Sequence, residues 1–147
     1  MSKVIDSSDL IVNNTSDEFR RIVPINLDEL SNWITCCEMA FSYQMAQNSV
    51  AQLFHNKNAQ IWAYKIQQDI VATAISFKSN NTLGIHQVGV NPSYRGQGIA
   101  KNFMQFLIAH AIQLGCTEVS LQASSLGKPM YQTLGFTVLG ALSKCKK

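Results

Sequence analysis

The fold of this chain is decided by the stretch Gln87-Val88-Gly89-Val90-Asn91-Pro92-Ser93-Tyr94-Arg95-Gly96-Gln97-Gly98-Ile99-Ala100. Its first residues form a β-run, which ends at Pro92 because proline has no N–H to donate to a strand ladder. A turn with Arg95, Gly96 and Gly98 follows, and its glycines let the backbone approach a ligand closely. The spacing then becomes helical, with one face formed by Ile99, Phe103, Phe106, Leu107, His110, Ala111 and Leu114. A helix N-terminus offers unpaired N–H groups and the positive end of the helix dipole, so the stretch predicts a phosphate or pyrophosphate site.

Two common phosphate-binding motifs fit this stretch poorly. A P-loop is excluded because no Gly-Lys-Ser or Gly-Lys-Thr follows the turn. A dinucleotide fingerprint is half met, since Gly96 and Gly98 fit but Lys101 occupies the third glycine position. Glu118 lies where a ribose ligand would stand, yet Pro92 and two further residues separate the strand from the turn. The dinucleotide fold is therefore the weaker interpretation.

The same residues resemble motif A of the GNAT superfamily, the acyl-CoA-dependent N-acyltransferases. That motif has Arg or Gln, two residues, Gly, one residue, and then Gly or Ala, which Arg95, Gly98 and Ala100 match. A second segment, residues 121–136, resembles motif B, because it ends in Tyr131-Gln132-Thr133-Leu134-Gly135-Phe136. The two motifs occur in the family's order, and the resemblance covers roughly residues 83–140. The N-terminal half matches only by the order of its elements.

Length and composition favour one globular domain. The chain has 147 residues, 46% of them apolar, which predicts a single domain over residues 1–147. The resemblance implies that this is an N-acetyltransferase domain. No apolar run is long enough for a membrane span, and the N-terminus has no signal-peptide pattern. The four cysteines contain no Cys-x-x-Cys pair, which predicts reduced thiols in a cytoplasmic protein and no metal site. The net charge of +3 is too small for a nucleic-acid footprint but is compatible with an anionic cofactor.

The predicted elements alternate in the order that the resemblance implies. Asn26 and Glu29 form a capping box before an amphipathic helix with Leu27, Leu30, Ile34, Cys37 and Phe41 on one face. A short helix is predicted at residues 50–55, and a long one from Ile99 to a C-terminal Gly115. Strands are predicted at residues 19–25, 59–66, 70–77, 82–90, 117–123 and 136–142. The resemblance implies a mixed α/β fold, whose mostly antiparallel sheet is splayed at the acyl-CoA site and flanked by helices.

The resemblance implies acetyl-CoA as the co-substrate. Its pantetheine arm would lie between strands 82–90 and 117–123 and bind backbone groups of Val88 and Val90. Gly89 fits either a β-bulge or a close approach of the backbone to a ligand. Ser124 stands where many family members have an asparagine that contacts pantetheine. The predicted pyrophosphate cradle consists of Arg95, Gly96, Gln97, Gly98, Ile99 and Ala100.

Attack of an amine on a thioester requires three functions. A backbone N–H near Val88 can stabilise the oxyanion. Tyr131 matches the family's general acid, which protonates the leaving CoA thiolate. For the base, Gly84 stands where some members have a glutamate, so the candidates are His86, Glu38 and a chain of water molecules. Strand alternation predicts that His86 lies on the same face as Val88 and Val90.

The sequence therefore predicts an N-acetyltransferase that acts on a primary amine of an unidentified acceptor. The alternative is a non-catalytic acyl-CoA-binding or interaction module of the same fold. Acceptor choice would depend on residues 27–58, with Trp33, Glu38 and Tyr43 as candidate lining residues. A homodimer is compatible with the resemblance, because domains of this family often pair.

Overall fold

The computed structural model describes residues 1–5, 17–42, 44–121 and 128–137. They form a six-stranded sheet in the order β1-β6-β5-β4-β3-β2, in which only the β5–β6 pair is parallel. The strands are β1 (Ser2–Val4), β2 (Ile22–Pro24), β3 (Ala59–Ile66), β4 (Asp69–Ser79), β5 (Thr82–Val90) and β6 (Glu118–Leu121). The helices are α1 (Leu30–Phe41), α2 (Gln47–Ala51), α3 (Ile99–Gln113) and α4 (Lys128–Thr133). The predicted fold class is confirmed.

The first two strands differ from the prediction. β1 was not predicted, because it forms through long-range pairing with β6 rather than through a local pattern. The strand predicted at residues 19–25 is shorter, since Asp17–Arg21 is a 3-10 helix and only Ile22–Pro24 pairs with β3. The strand predicted at residues 136–142 is described only as far as Thr137, which bridges to Ser2.

The capping box forms as predicted. The Asn26 side chain accepts a hydrogen bond from the Glu29 N–H at 3.2 Å, and the Glu29 carboxylate accepts one from the Asn26 N–H at 3.2 Å. Lys65 also binds this carboxylate, and this hydrogen bond holds the pKa of Glu29 below its usual range. The cap starts a 3-10 turn, Leu27–Glu29, that leads into α1, so Leu27 is 62% exposed rather than on the buried face.

Hydrophobic clusters cover both faces of the sheet. On one face, α3 and α4 pack on β5 and β6 through residues such as Phe103, Leu107, Ile85 and Val119. On the other face, α1 and α2 pack on β3 and β4, for example through Leu30, Trp33, Val50, Ile61 and Ile75. Trp33 is fully buried, and its indole N–H donates a hydrogen bond to the Trp62 carbonyl at 2.8 Å. Trp33, a candidate lining residue of the acceptor pocket, therefore packs in the core instead.

Helix α1 approaches β5 most closely at Gly89. A Cβ at this position would lie 2.7 Å from both Ala40 Cβ and Phe41 Cε2, and real Cβ contacts are never that short. Gly89→Ala should therefore destabilise the protein by about 1–3 kcal/mol, the usual effect of overpacking a core. Gly84→Ala is the matched control on the same strand, because its Cβ would meet nothing closer than 3.4 Å. Denaturant unfolding measures both variants, and equal stability of the two would contradict the packing role of Gly89.

Among the described residues, no helix has both the length and the apolar character that a membrane crossing requires.

Candidate active site

The segment after β5 is a rigid turn. The Asn91 side chain accepts a hydrogen bond from the Ser93 N–H at 3.0 Å, and Pro92–Tyr94 forms one turn of 3-10 helix. The Tyr94 N–H donates to the Asn91 carbonyl at 2.8 Å. These bonds redirect the chain from the sheet toward the start of α3.

Two glycines place the N-terminus of α3 in an open position. Gly96 and Gly98 have φ of 81° and 78°, the left-handed region that side chains rarely adopt. Gly98 is the N-cap and provides no side-chain cap, and no atom lies within 4 Å of the Cβ position at either glycine. Because the first N–H groups of a helix have no intrahelical acceptor, those of Ile99, Ala100 and Lys101 are available to a ligand. The turn therefore has the geometry of an anion site.

Arg95 ties this turn to the rest of the protein. Its Nη2 donates a hydrogen bond to the Ala40 carbonyl at the end of α1, at 2.7 Å, and its Nε donates to the Val90 carbonyl at 3.3 Å. A guanidinium has five N–H donors, so these two bonds leave donors for an anion. Direct pyrophosphate binding by Arg95 stays a prediction, but the structure shows that this residue also fixes the turn.

Strand β5 contains a bulge at Gln87. Thr73 of β4 pairs with Gly89, whereas Ile75 pairs with His86, so two steps along β4 correspond to three along β5. Gln87 has φ of 56°, which is uncommon for a residue other than glycine. The sequence suggested a bulge or a close backbone approach at Gly89. The bulge lies two residues before Gly89, and the close approach at Gly89 is to α1.

The bulge decides which residues share a face. His86 pairs with Ile75, which belongs to the cluster under α1, so His86 lies on the α1 face and is exposed. Val88 and Val90 pack against the cluster under α3. The prediction that His86 lies on the same face as these two valines is wrong, because the extra residue at Gln87 interrupts the alternation of side chains.

Beyond this bulge, two residues of β5 turn their backbone N–H groups away from β4. The Asn91 N–H donates to the Val71 carbonyl of β4 at 2.8 Å, so alternation turns the N–H groups of Val88 and Val90 away from β4. The described register between β5 and β6 ends at Ile85 and Leu121. Val88 and Val90 thus present backbone groups on the side where the cofactor arm was predicted. Ser124, the other predicted contact, lies outside the described residues.

Tyr131 lies on the α3 face in the same cluster that Val88 and Val90 pack against. The side chain is 7% exposed, and its ring makes an edge-to-face contact with Phe136 at a centroid distance of 6.0 Å. Burial raises the pKa of Tyr131 to about 12. The phenol therefore keeps its proton throughout the physiological range, as a hydrogen-bond donor requires.

The second candidate base, Glu38, has a structural partner. Its carboxylate accepts a hydrogen bond from the Met45 N–H at 2.7 Å and thereby holds the segment after α1. Tyr43, the remaining candidate lining residue, lies outside the described residues. This contact gives Glu38 a structural role, and Glu38 stays the weaker of the two side-chain base candidates.

Three residues that form the bulge and its contacts, Thr73, Cys37 and Gln87, were not predicted from the sequence to have this role. Thr73 donates its hydroxyl to the Gln87 carbonyl at 2.8 Å, and Cys37 donates its thiol to the Gln87 side-chain oxygen at 3.6 Å. Burial raises the pKa of Cys37 to about 11, so its thiol stays protonated. No sequence signal marks these residues, because their contacts depend on the register of β4 and the position of α1.

A cavity of about 330 Å³ lies behind the turn, between α1 and the start of β4. Its wall includes Thr35, Cys36, Asp69, Asn91 and Tyr94. Burial raises the pKa of Cys36 to about 11, so this thiol is an inert part of the wall. In the described part of the chain, no cluster of three His, Cys, Asp or Glu side chains could hold a metal ion.

Comparisons with known proteins identify the family and the fold. Residues 26–146 match the family model for the acetyltransferase (GNAT) domain. A segment of 52 residues is 40% identical to glucosamine 6-phosphate N-acetyltransferase of Trypanosoma brucei brucei and covers 35% of each chain. The match thus spans about a third of the length of that curated relative.

Two solved structures share the fold. An acetyltransferase of Trypanosoma brucei has a TM-score of 0.69 at 22% identity, over 81% of this chain and 93% of that one. A predicted acetyltransferase of Clostridium acetobutylicum, solved with acetyl-CoA, has a TM-score of 0.68 at 19% identity, over 82% of this chain and 91% of that one. At these identities the likeness shows the fold alone.

Proposed function

The chain belongs to the GNAT acetyltransferase family, and from this premise we propose that it transfers the acetyl group of acetyl-CoA to a primary amine. The observation that carries the proposal is the open N-terminus of α3 behind Gly96 and Gly98, after a strand whose Val88 and Val90 N–H groups turn away from β4. The residues present fit the cofactor, since N–H groups at a helix N-terminus match a pyrophosphate and such strand backbone groups match a pantetheine arm.

Binding places the thioester beside the bulge. The N–H groups of Gly96, Gln97, Gly98, Ile99 and Ala100, with Arg95, hold the pyrophosphate. Backbone groups of Val88 and Val90 hold the pantetheine arm as an added strand would. The thioester carbonyl then meets the Val88 N–H, which stabilises the oxyanion of the tetrahedral intermediate.

The reaction forms an amide and releases CoA. The amine nitrogen attacks the thioester carbon, a base takes its proton, and the carbon–sulfur bond breaks as the intermediate collapses. His86 on the α1 face is the candidate base, and Tyr131 on the α3 face is the candidate donor to the departing sulfur.

The raised pKa of Tyr131 limits how this residue acts. A phenol of pKa about 12 is a weak acid toward a thiolate, since free thiols titrate at about 8.5. Complete proton transfer is therefore uphill, and Tyr131 acts mainly by donating a hydrogen bond to the sulfur as charge develops on it.

Release of free CoA thiol from acetyl-CoA tests the proposed function. The rate is measured with acetyl-CoA alone and with a panel of primary amines, including glucosamine 6-phosphate and a peptide with a free N-terminus. The first amine belongs in the panel because the trypanosomal relative is named for it. Release of CoA that depends on one of the amines supports the transferase. If the protein binds acetyl-CoA but releases no CoA with any amine, the result favours the non-catalytic module.

The non-catalytic alternative rests on two observations. The Glu38 carboxylate is already hydrogen-bonded to the Met45 N–H, and Gly84 stands where some family members have a glutamate.

We expect His86→Ala to slow transfer without weakening acetyl-CoA binding. A base must be deprotonated, so the wild-type rate should rise with pH as the base loses its proton. The variant should lose this rise and fall to about a tenth of the wild-type rate at neutral pH, near the low end for general base catalysis. His55→Ala is the matched control, since His55 is exposed and lies on a separate 3-10 helix. An unchanged pH–rate profile in His86→Ala would leave water as the base.

A further inference from the structure

We propose that Thr73 is a positioning residue, whose hydroxyl orients the Val88 N–H toward the thioester carbonyl. This role rests on the proposed function, because it concerns the oxyanion donor of that reaction. Thr73 lies in the central part of β4 and is fully buried, with an exposed fraction of 0%. A buried hydroxyl in a sheet needs a partner, and the structure provides one in the bulge.

The partner of Thr73 is the carbonyl of the bulged residue. A bulge leaves one residue outside the regular ladder, so its backbone groups need another source of hydrogen bonds. Thr73 Oγ1 donates to the Gln87 carbonyl oxygen at 2.8 Å and satisfies that acceptor. A side chain on β4 therefore substitutes for a ladder bond where the register shifts.

This bond fixes the oxyanion donor through the geometry of the peptide. The Gln87 carbonyl and the Val88 N–H belong to one planar trans peptide, in which C=O and N–H point in opposite directions. Because Thr73 holds the carbonyl toward β4, the N–H points away from β4, toward the β6 side of the strand. The orientation of this N–H is thus set by a hydroxyl that never touches the substrate.

A second contact holds the same residue from the α1 side. Gln87 has φ of 56°, a conformation that costs a residue other than glycine roughly 1 kcal/mol or more. Its side-chain oxygen accepts a hydrogen bond from the Cys37 thiol at 3.6 Å. Thr73 and Cys37 therefore hold Gln87 from two sides and maintain a strained bulge. Such strain persists only where surrounding contacts fix it.

The test compares Thr73→Val, which keeps the shape but loses the hydroxyl, with Thr73→Ser, which keeps the hydroxyl. Acetyl-CoA labelled with ¹³C at the acetyl carbonyl is bound to each protein, and difference infrared spectroscopy records the carbonyl stretch. In the wild type and Thr73→Ser, a hydrogen bond from Val88 should lower the frequency relative to free acetyl-CoA. In Thr73→Val the band should return toward the free value, and turnover should fall about tenfold with little change in the KM for acetyl-CoA.

Calorimetry with CoA, which lacks the acetyl carbonyl, separates positioning from folding. Thr73→Val should bind CoA within about twofold of the wild type, because the pyrophosphate turn is intact. If the valine variant does not fold, Thr73→Ala removes the hydroxyl without added bulk and carries the same expectation. The role of Thr73 would be overturned if the hydroxyl-free variant kept the wild-type infrared shift and rate. It would also be overturned if the affinity for CoA fell as much as turnover. Failure of the wild type to bind acetyl-CoA would instead overturn the proposed function.

Discussion

Gly98→Val should weaken acetyl-CoA binding by at least tenfold, which corresponds to ~1.4 kcal/mol. Gly98 is the N-cap of α3 at φ of 78°, and a β-branched residue is strongly disfavoured in that conformation. No atom lies within 4 Å of the Cβ position, so the new side chain would occupy the open space that a pyrophosphate needs. The loss combines a displaced turn with a blocked approach to the N–H groups of α3. Calorimetry with acetyl-CoA measures it directly.

The same helix provides the control for backbone strain. Gly115 follows the other end of α3 at φ of 82°, and it also has no atom within 4 Å of its Cβ position. Gly115→Val therefore introduces a comparable conformational strain far from the proposed pyrophosphate site. It should lower stability but leave acetyl-CoA affinity unchanged. Equal affinity losses in the two variants, or none in a folded Gly98→Val protein, would remove the assignment of this turn to the cofactor.

The sequence was informative where the signal is local. The turn at Gly96 and Gly98 and the capping box of Asn26 and Glu29 depend on residues a few positions apart, and both form as predicted. The order of the elements followed from hydrophobic periodicity in the same way. Local chemistry was therefore sufficient for the order of most elements and for the conformation of the turn at Gly96 and Gly98.

The sequence was misleading where the structure depends on register. Nothing about Gln87 indicates a positive φ, so the bulge could not be located, and the face of His86 was predicted wrongly. The buried contacts of Thr73 and Cys37 with Gln87 join residues from three separate elements. β1 likewise forms only because β6 offers it an edge. Such features arise from tertiary packing, which a pattern of neighbouring residues does not encode.

Tyr131→Phe should lower turnover by roughly 10- to 100-fold, the lower part of the range for a proton donor in catalysis. The substitution keeps the ring, so the edge-to-face contact with Phe136 survives and only the hydroxyl is lost. Because a thiolate is a good leaving group and the phenol has a pKa of about 12, the effect should stay below the maximum. Affinity for acetyl-CoA should change by less than ~1 kcal/mol, the size of one neutral hydrogen bond.

The pH dependence of this loss identifies the role of the hydroxyl. A donor must be protonated, and a group with a pKa of about 12 loses its proton only as the pH rises toward that value. The ratio of wild-type to Tyr131→Phe turnover should therefore be constant between roughly pH 6 and pH 10. Tyr64→Phe is the matched control, because Tyr64 is a buried tyrosine of the same cluster and has no assigned role in the reaction. Unchanged turnover in Tyr131→Phe would make this tyrosine a core aromatic, whereas a collapse of acetyl-CoA affinity would make it a binding residue.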